Sequence, residues 1–231
     1  MQKGKDNIEL TLLMPCKDEE QTVGICTGLA RKYMRENGIN GEVIVVDNAS
    51  SDASARCARQ RGARVIYEPR TGYGSAIRAG LRASKGEVII IVDCDLTYDI
   101  REIGKIYEPL KYGSFDMMIG DRFLGNIEKG AMPISHYFGV RFLSLLGRWR
   151  FHTDVGDFHC GLRGLKRNAV KKLRFKTRGM EFATEFIAEA VRAGLSIGQT
   201  PVSLRRCRYE RKSKLRTIRD GMRHMKYIIS G

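Results

Sequence analysis

Short, largely apolar runs alternate with amphipathic stretches through the first half of the chain. The apolar runs cover residues 8–14, 42–46, 63–67, 87–92 and 115–119. The stretches between them, near 20–37, 51–60, 74–83 and 100–112, repeat apolar residues at helical spacing. A strand that is apolar on both faces is buried on both faces, so the alternation predicts an α/β fold with a mostly parallel central sheet flanked by helices. We expect the first strand to end at Pro15, which has no backbone N–H to donate.

The second half of the chain differs in kind. It predicts a loop at 125–133, an aromatic-rich amphipathic segment at 134–146, a strand at 161–166, a helix at 182–193 and a strand at 196–204 that is broken by Pro201. The longest uninterrupted aliphatic run covers only residues 88–92. Because a spanning helix needs ~18 apolar residues, we expect no transmembrane segment.

Positive charge is concentrated near the C-terminus. The 231 residues include 41 lysines and arginines against 26 acids, a formal net charge of +15, which predicts an acidic partner such as a nucleic acid, a lipid headgroup or a phosphorylated substrate. Residues 205–226 hold ten of these cations and two acids. On a helical projection, Leu215, Ile218, Met222, Met225 and Ile229 share one side, opposite Arg216, Arg219, Arg223 and Lys226. We therefore expect residues 205–231 to form a basic amphipathic tail that docks on an anionic membrane surface.

The N-terminus and the cysteines indicate the compartment. The first residues have no apolar core ahead of a cleavage site, which predicts a cytoplasmic protein, peripheral at the cytoplasmic face of the membrane. The six cysteines are scattered, without a CxxC motif or a paired histidine spacing. They are expected to be free thiols rather than zinc ligands.

Carboxylates follow three of the predicted strands. Asp18 and Glu19 come after the first strand, Asp47 ends the second, and Asp93 and Asp95 end the fourth. The carboxyl ends of parallel strands meet at one edge of a sheet, where ligands bind, and gathered carboxylates repel one another unless a cation lies among them. We expect Asp93 and Asp95 to bind Mg²⁺ or Mn²⁺ together with the diphosphate of a substrate. Asp52 is expected to cap a helix instead.

A glycine-rich segment from Gly72 to Gly80 resembles a dinucleotide-binding fingerprint only in part. Its sixth position is Ile77, and Pro69-Arg-Thr rather than a strand precedes it. We expect these glycines to allow close helix packing and the approach of the backbone to a bound nucleotide.

Taken in order, these motifs resemble family 2 glycosyltransferases of the GT-A fold. The resemblance rests on Pro15, Asp18-Glu19, Asp47 through Ser51-Asp52, Gly72, Gly74 and Gly80, Asp93-Cys-Asp95-Leu and Gly120-Asp-Arg122. Asp157-Phe-His-Cys-Gly161-Leu-Arg163 and Arg211-Lys-Ser-Lys-Leu215 are similar to segments of the polyprenyl-phosphate mannosyl- and glucosyltransferase branch. Two positions depart from the family pattern: Cys16 precedes the first acid pair, and Asp121 replaces the serine of a Gly-Ser-Arg motif.

The resemblance implies roles for individual residues. Pro15, Glu19, Asp47, Gly72 and Gly74 would surround the nucleotide of a nucleotide-diphosphate sugar, with Asp93 on the nucleotide side and Asp95 on the metal. Arg122 would contact a phosphate of donor or acceptor, Arg141 and Ser144 the acceptor phosphate, and Asp157 and Arg163 the sugar and acceptor. Residues 1–204 would be the catalytic domain, with a nucleotide-binding half at 1–121 and an acceptor-binding half at 122–204.

The implied reaction inverts the anomeric carbon by single displacement. If the acceptor is a polyprenyl phosphate, its second pKa of about 6 leaves it largely dianionic at neutral pH, and no strong base is needed. A hydroxyl acceptor would need a base, and Asp157 is the first candidate. Many relatives carry transmembrane helices after the catalytic domain, so the chain is expected to be a truncated form, a peripheral enzyme or one docked to a membrane-anchoring subunit or oligomer.

Two other functions remain open. The first is a family 2 enzyme with a soluble or polysaccharide acceptor, although Arg148-Trp149 lacks the glutamine of the processive Gln-x-x-Arg-Trp motif. The second is a nucleic-acid-binding protein, which the charge alone suggests and which leaves the acidic clusters unexplained. We expect no nucleic-acid partner. The donor base (uridine or guanosine), the sugar and the polyprenol stay open.

Overall fold

The computed structural model describes residues 7–207, 209 and 217–231. Its centre is a seven-stranded sheet in the order β3-β2-β1-β4-β6-β5-β7, mostly parallel, with β6 antiparallel to both of its neighbours. The strands are β1 Leu10–Cys16, β2 Gly41–Asp47, β3 Arg64–Tyr67, β4 Val88–Ile91, β5 Met117–Asp121, β6 Arg163–Lys166 and β7 Ile197–Pro201. The α/β prediction is therefore confirmed. Strands of both predicted halves share this one sheet, and the division into a nucleotide half and an acceptor half stays a prediction.

Most helices lie in the intervals that the sequence predicts, and the short α6 is an addition that it does not predict. The helices are α1 Val23–Glu36, α2 Ser54–Gln60, α3 Tyr73–Ala83, α4 Gly104–Lys111, α5 Ile134–Phe151, α6 Arg167–Val170, α7 Phe182–Arg192 and α8 Thr217–Ser230. The single helix expected at 100–112 is divided into a 3-10 turn, Ile100–Ile103, and α4. The amphipathic segment expected at 134–146 continues to Phe151. All six cysteines are free, as expected.

The expectation that Pro15 ends the first strand is wrong. β1 runs on to Cys16, and Pro15 pairs in register with Val46 of β2. On the other side of β1, pairing with β4 stops at Leu13 opposite Ile91. At Pro15 the strand thus has a neighbour on one side, where a missing backbone donor is tolerated.

The core is built from strands that are buried on both faces. Leu10, Leu12, Leu13 and Met14 of β1 have no exposed surface, as expected for a central strand covered by helices on both faces. On one face, α3 lies so close to β1 that a Cβ at Gly80 would overlap the Leu13 side chain. The prediction that the glycine-rich segment allows close helix packing is confirmed at Gly80.

The C-terminal helix α8 packs beside α5 and α7 with a side that the sequence pattern did not single out. Asp220, His224 and Ile228 are buried, whereas Ile218 and Met222 of the predicted apolar side are exposed. The helix thus rests on a third face and presents its apolar and basic sides outward. Leu215, Arg216 and most of the basic run before α8 lie outside the described residues. Within the described part of the chain, every helix is too short or too polar to cross a bilayer.

Candidate active site

The carboxyl ends of β1, β2 and β4 lie side by side and bring the predicted acids to one edge. Cys16 of β1 is in register with Asp47 of β2, and β4 continues from Ile91 into Asp93 and Asp95. The Cys94 thiol reaches the Pro15 carbonyl oxygen at 3.3 Å, which ties the segment after β4 to the end of β1. The structure therefore brings together the residues that the sequence placed around a nucleotide and a metal.

The loops after β1 and β2 bind each other through hydrogen bonds to their acidic and hydroxyl side chains. Asp18 has a left-handed φ of 49° and its carboxylate accepts from the Ser51 backbone N–H at 2.7 Å. The Glu19 backbone N–H donates to Ser54 Oγ at 2.7 Å. These bonds leave Glu19 buried at the base of α1 and hold the two loops in a fixed relation.

Asp52 is expected to cap α2, but the N-cap position is Ala53, which makes no side-chain cap hydrogen bond, and Asp52 lies one residue before it. Its carboxylate accepts from the backbone N–H and the hydroxyl of Ser54, the first helical residue, and from the backbone N–H of Glu20. Burial acts to raise the pKa of Asp52, but the hydrogen bonds from Ser54 and Glu20 outweigh it and lower the pKa. The Asp52 carboxylate thus accepts hydrogen bonds from backbone N–H groups at the start of α2.

Asp47 and Asn48 shape the loop that approaches the edge from β3. Asp47 accepts from the Ser50 backbone N–H at 3.1 Å. The buried Asn48 side chain donates to the carbonyls of Glu68 and Arg70 and accepts from the Gly72 N–H at 2.7 Å. The sequence analysis gave Asn48 no role. Its position directly after Asp47, the acid that ends the buried strand β2, was the feature that could have indicated one.

Gly72 and Gly74 are explained first by contacts within the protein. Gly72 has φ 136°, and a Cβ there would collide with the Arg178 carbonyl. A Cβ at Gly74 would lie 2.8 Å from Cβ of Phe182. The backbone N–H groups of Gly74 and Ser75 donate to the carbonyls of Gly179 and Arg178. The first turn of α3 is thus covered by the segment before α7, and contact of these glycines with a nucleotide stays a prediction.

Asp93 and Asp95 lie in a tight turn after β4. The Asp95 carboxylate accepts from the Thr97 backbone N–H at 3.0 Å and from the Thr97 hydroxyl, and Leu96 between them has φ 63°. The Asp93 carboxylate lies against Gly161, where a Cβ would overlap it. The two carboxylates thus have fixed orientations at the edge of the sheet.

This pair of acids suits a hard divalent cation that takes its other ligands from a bound substrate. Carboxylate oxygens are the ligands that Mg²⁺ and Mn²⁺ prefer, and Mg²⁺ is commonly held by one or two carboxylates plus phosphate oxygens. Among the described residues, no group of three or more His, Cys, Asp or Glu side chains is placed to hold a metal. A cation at Asp93 and Asp95 would therefore depend on the oxygens of a diphosphate.

Arg122 and Asp157 form a buried, bidentate ion pair. Arg122 Nε and Nη2 donate to the two carboxylate oxygens of Asp157 at 2.6 and 2.8 Å, and the Asp157 side chain is fully buried. Burial disfavours the charge on Arg122, but the Asp157 carboxylate outweighs it and raises the pKa of Arg122. The carboxylate of Asp157 is thus engaged by Arg122 rather than open to solvent.

The segment 157–161 connects the ion pair to the acids after β4. Asp157 holds Arg122, while Gly161 lies against Asp93 and donates its N–H to the Tyr98 hydroxyl at 2.8 Å. The sequence predicted this segment as a border of the sugar site. Its two ends join the predicted nucleotide and acceptor sides, so the candidate site is one continuous structure.

An aromatic cluster places Arg141 next to Arg122. The Phe123 ring lies 5.9 Å from Cζ of Arg122 and 5.5 Å from Cζ of Arg141. Tyr137 packs edge-on against Phe123 and accepts from Arg141 Nη1 at 2.9 Å. Arg141 is exposed, so the cluster offers one open guanidinium beside a buried one. The sequence did not single out Phe123, although it directly follows the motif arginine.

Ser144, predicted at the acceptor phosphate, and Arg163, predicted at the sugar and acceptor, are both buried. The Ser144 hydroxyl accepts from the Phe158 N–H at 3.3 Å. Arg163 is 1% exposed, donates to the Cys160 carbonyl, and lies with Cζ 5.3 Å from the centre of the Phe186 ring. In this structure both side chains bind protein groups that shape the loop at 157–161, and neither faces solvent.

Asp121, the departure from the family pattern, has its own backbone partners. Its carboxylate accepts from the N–H groups of Phe123 at 2.8 Å and Leu124 at 3.1 Å. The negative charge thus stabilises the turn that carries Arg122 and Phe123.

Comparison with known proteins supports the family that the sequence motifs indicate. Residues 11–174 match the family model described as Glycosyl transferase family 2. Agl6, a low-salt glycan biosynthesis hexosyltransferase of Haloferax volcanii, is 32% identical over 221 residues; the alignment covers 95% of this chain, which spans about half (53%) of that relative's length. The dolichyl-phosphate hexose transferase of the same organism is 29% identical over 199 residues, covering 85% of this chain and 83% of that protein.

Solved structures share the fold. One is glucosyl-3-phosphoglycerate synthase from Mycobacterium tuberculosis in complex with Mn²⁺, UDP-glucose and phosphoglyceric acid, with a TM-score of 0.74 at 20% identity. The match covers 98% of this chain and 80% of that one.

Proposed function

The chain belongs to glycosyl transferase family 2, and we propose that it transfers a hexose from a nucleotide-diphosphate sugar to a polyprenyl phosphate at a membrane surface. The observation that carries the proposal is helix α5, which joins a phosphate-binding group to an apolar surface. One flank of the helix places the exposed Arg141 beside Arg122 across Phe123. Its outer side exposes a stripe of large apolar residues, Ile134, Phe138, Phe142, Leu145 and Trp149, each between 54% and 77% exposed.

The donor is a nucleotide-diphosphate sugar of the UDP-glucose or GDP-mannose type. Support comes from Pro15, Glu19 and Asp47 at the same edge as Asp93 and Asp95. A solved structure of the same fold, named above, holds UDP-glucose and Mn²⁺. Asp95 and Asp93 are the residues that would hold Mg²⁺ or Mn²⁺, which neutralises charge on a leaving diphosphate when bound.

The acceptor is a phosphate, which supplies its own nucleophilic oxygen. A phosphate monoester is largely dianionic at neutral pH, so the site needs cations to orient it rather than a base to deprotonate it. Arg141 is exposed and charged, and Arg122 lies across the same aromatic ring. Asp157 is fully buried against Arg122, which favours a positioning role for this carboxylate over that of general base.

The apolar stripe favours a lipid-borne acceptor over a soluble one. Exposed contiguous apolar surface on a soluble domain marks an interaction site, and aromatic side chains flanked by arginines suit the boundary of a bilayer. Arg141, Arg148 and Arg150 lie on the same helix as the stripe. A relative is named a dolichyl-phosphate hexose transferase, which supports the same class of acceptor.

A transfer assay tests the proposal. The purified chain is incubated with Mn²⁺, labelled UDP-glucose or GDP-mannose, and a polyprenyl phosphate in detergent or vesicles. We expect lipid-linked label, at least 100-fold less in Asp95→Ala and at least 10-fold less in Arg141→Ala. Arg148→Ala removes another exposed arginine of α5 and should retain most of the activity.

The assay also separates the competing acceptor. A family 2 enzyme with a soluble acceptor has a specific observation in its favour, because the solved structure named above contains phosphoglyceric acid. Label transferred to a soluble phosphorylated acid and none to polyprenyl phosphate would replace the lipid acceptor. No binding of any nucleotide sugar in the presence of Mn²⁺ would contradict the whole proposal.

A further inference from the structure

A small pocket on the outer side of α3 is lined almost entirely by arginine. Its wall consists of Arg70, Ser75, Arg78, Arg82 and Arg178, and its volume is about 50 Å³. That is room for about three or four water-sized groups, the scale of one compact anion. None of these arginines has a part in the proposed reaction.

The chain builds this pocket from three segments. Ser75, Arg78 and Arg82 are three, four and seven residues apart on α3, so they share one helical face. Arg70 comes from the loop that Asn48 holds, and Arg178 from the segment that covers the first turn of α3. Arg78 Nη1 donates to the Lys176 carbonyl at 3.1 Å. Three anchored backbone segments therefore bring the four arginines to one place on the surface.

The pocket has an excess of positive charge. Among the described residues, Glu68 is the acid that forms ion pairs with these arginines, at 2.7 Å from Arg70 and 3.8 Å from Arg82. The hydrogen bonds from Arg70 lower the pKa of Glu68 to about 2, so it stays ionised. Four guanidinium groups against one carboxylate leave a local charge of +3. A multivalent anion relieves the repulsion among them, and arginine matches phosphate oxygens with paired N–H donors.

An apolar cleft of about 270 Å³ adjoins the pocket and shares Arg78 and Arg82 with it. Its floor is apolar, formed by Leu81, Val170, Leu173 and Phe175, and Arg174 stands at its rim. A ligand with a phosphate in the arginine pocket therefore has apolar surface available for an attached chain.

The arginine pocket begins beside the predicted nucleotide residues and extends away from the predicted metal-binding acids: Arg70 lies two residues before Gly72, and Ser75 directly follows Gly74. α3 packs against β1 and β2, whereas Asp93 and Asp95 follow β4 on the other side of β1. Arg82, at the other end of the pocket, lies ten residues beyond Gly72, about 15 Å along the axis of α3. We propose that the arginine pocket is a second anion site, which binds the phosphate group of a ligand other than the reacting donor and acceptor.

Binding of inorganic pyrophosphate tests the site. The full chain is titrated calorimetrically at low ionic strength with EDTA present, so that binding at Asp93 and Asp95 through a metal does not contribute. We expect saturable one-to-one binding that persists in Asp95→Asn. The double variant Arg78→Ala/Arg178→Ala should weaken binding at least tenfold.

The matched control removes the same charge elsewhere. Arg56→Ala/Arg59→Ala takes two exposed arginines from α2 and should change the affinity less than twofold. Because both double variants alter charge equally, an equal loss in the two would show general electrostatic attraction and overturn the proposal. Unchanged binding in Arg78→Ala/Arg178→Ala would overturn it as well. Arg178→Gln alone, at an exposed side chain, gives a milder variant if the double variant melts early.

A second titration determines whether the ligand's phosphate belongs to a lipid or to a soluble solute. Geranyl monophosphate is compared with inorganic phosphate on the same protein. Affinity at least fivefold higher for geranyl monophosphate identifies a prenyl or lipid phosphate that also occupies the cleft; equal affinities identify a soluble phosphorylated solute. Both results retain the anion site, and binding of neither contradicts it. These titrations do not involve glycosyl transfer, so a negative result would contradict the anion site and leave the proposed function untouched.

Discussion

The buried ion pair between Arg122 and Asp157 carries a stability prediction. Both side chains are enclosed and joined by two hydrogen bonds of 2.6 and 2.8 Å. Removing one partner leaves the other charge in the interior, which costs about 3–5 kcal/mol. We expect Asp157→Ala to lower the free energy of unfolding by that amount, as measured by urea denaturation.

Two comparisons make this prediction specific. The double variant Arg122→Met/Asp157→Leu removes both charges and should regain most of the lost stability. Glu189→Gln breaks a more exposed pair with Arg192, of 2.8 Å, and should cost less than about 1 kcal/mol. If Asp157→Ala costs no more than Glu189→Gln, the pair does not stabilise the loop as we infer.

His224 predicts a loss of stability in mild acid. Nδ1 of His224 lies 2.8 Å from the Thr184 hydroxyl oxygen and 3.2 Å from Nε2 of His159. Burial lowers the pKa of His224 to about 4, with Arg163 acting in the same direction and Glu181 and Asp220 against it. The unfolded chain therefore binds the proton first as pH falls below 6.5, and stability is lost between pH 6.5 and about 4, by on the order of 3 kcal/mol.

His224→Asn is the matched variant, because its side-chain oxygen replaces Nδ1 without a titrating ring. The variant's unfolding free energy should fall less steeply than the wild type's over the same pH range. Parallel pH profiles of the two proteins would contradict the assignment to His224.

At the scale of elements, the joint between α3 and the segment before α7 depends on Gly72. An alanine there has to adopt φ 136° and to displace the Arg178 carbonyl. Strain of this kind costs about 1–3 kcal/mol, and the overlap adds to it. We expect Gly72→Ala to lower the free energy of unfolding by about 2–4 kcal/mol in thermal or urea denaturation.

A second glycine gives the opposite expectation for the same chemical change. Gly28 lies inside α1, and a Cβ added there would meet no neighbouring atom within 4 Å. Gly28→Ala should therefore stabilise the protein by about 0.5–1 kcal/mol. Destabilisation by both variants to the same extent would show that the joint at Gly72 has no special role.

The elements also show where sequence reasoning succeeds. Strands such as β2 and β4 are continuously apolar, and this pattern predicts them to within one or two residues. The antiparallel direction of β6 could not be predicted, because it depends on which neighbours the strand joins after a long connection. The sequence does not mark Arg163, which begins β6, as buried. Its guanidinium is enclosed by the Cys160 carbonyl of the preceding loop and the Ala183 carbonyl of α7.

The same distinction applies to the site. The acids after β1, β2 and β4 were predictable, since the ends of parallel strands converge at one edge. Asn48 and the aromatic cluster of Phe123 and Tyr137 were not, because their roles depend on contacts between loops and α5. The hydropathy and charge patterns of α8 do not predict which of its faces is buried. A helix packed against two others can bury polar side chains that hydrogen-bond to neighbouring residues, as His224 does with Thr184.

For the whole molecule, two outward apolar surfaces lie on adjacent helices. One is the stripe of α5, and the other is the side of α8 that exposes Ile218, Met222 and Ile229. Basic side chains accompany both, Arg148 and Arg150 on α5 and Arg219, Arg223 and Lys226 on α8. Each cation near an anionic leaflet contributes about 1 kcal/mol, and apolar insertion adds to it. Because α5 also carries Arg141, docking through this surface would present the candidate acceptor site to the lipid.

Trp149 lets this docking be measured directly. It is the one tryptophan of the chain, is 77% exposed and lies in the α5 stripe. Vesicles containing phosphatidylglycerol should shift its fluorescence to shorter wavelength, and raising the salt concentration should reverse the shift as charges are screened. Phe138→Ser/Phe142→Ser should weaken vesicle binding at least tenfold, because it removes apolar surface beside the reporter. Tyr67→Ser/Tyr112→Ser alters two exposed aromatic residues elsewhere and should leave binding unchanged. A fluorescence spectrum that does not respond to anionic vesicles, in a protein that still binds nucleotide sugar, would show that α5 does not face a membrane.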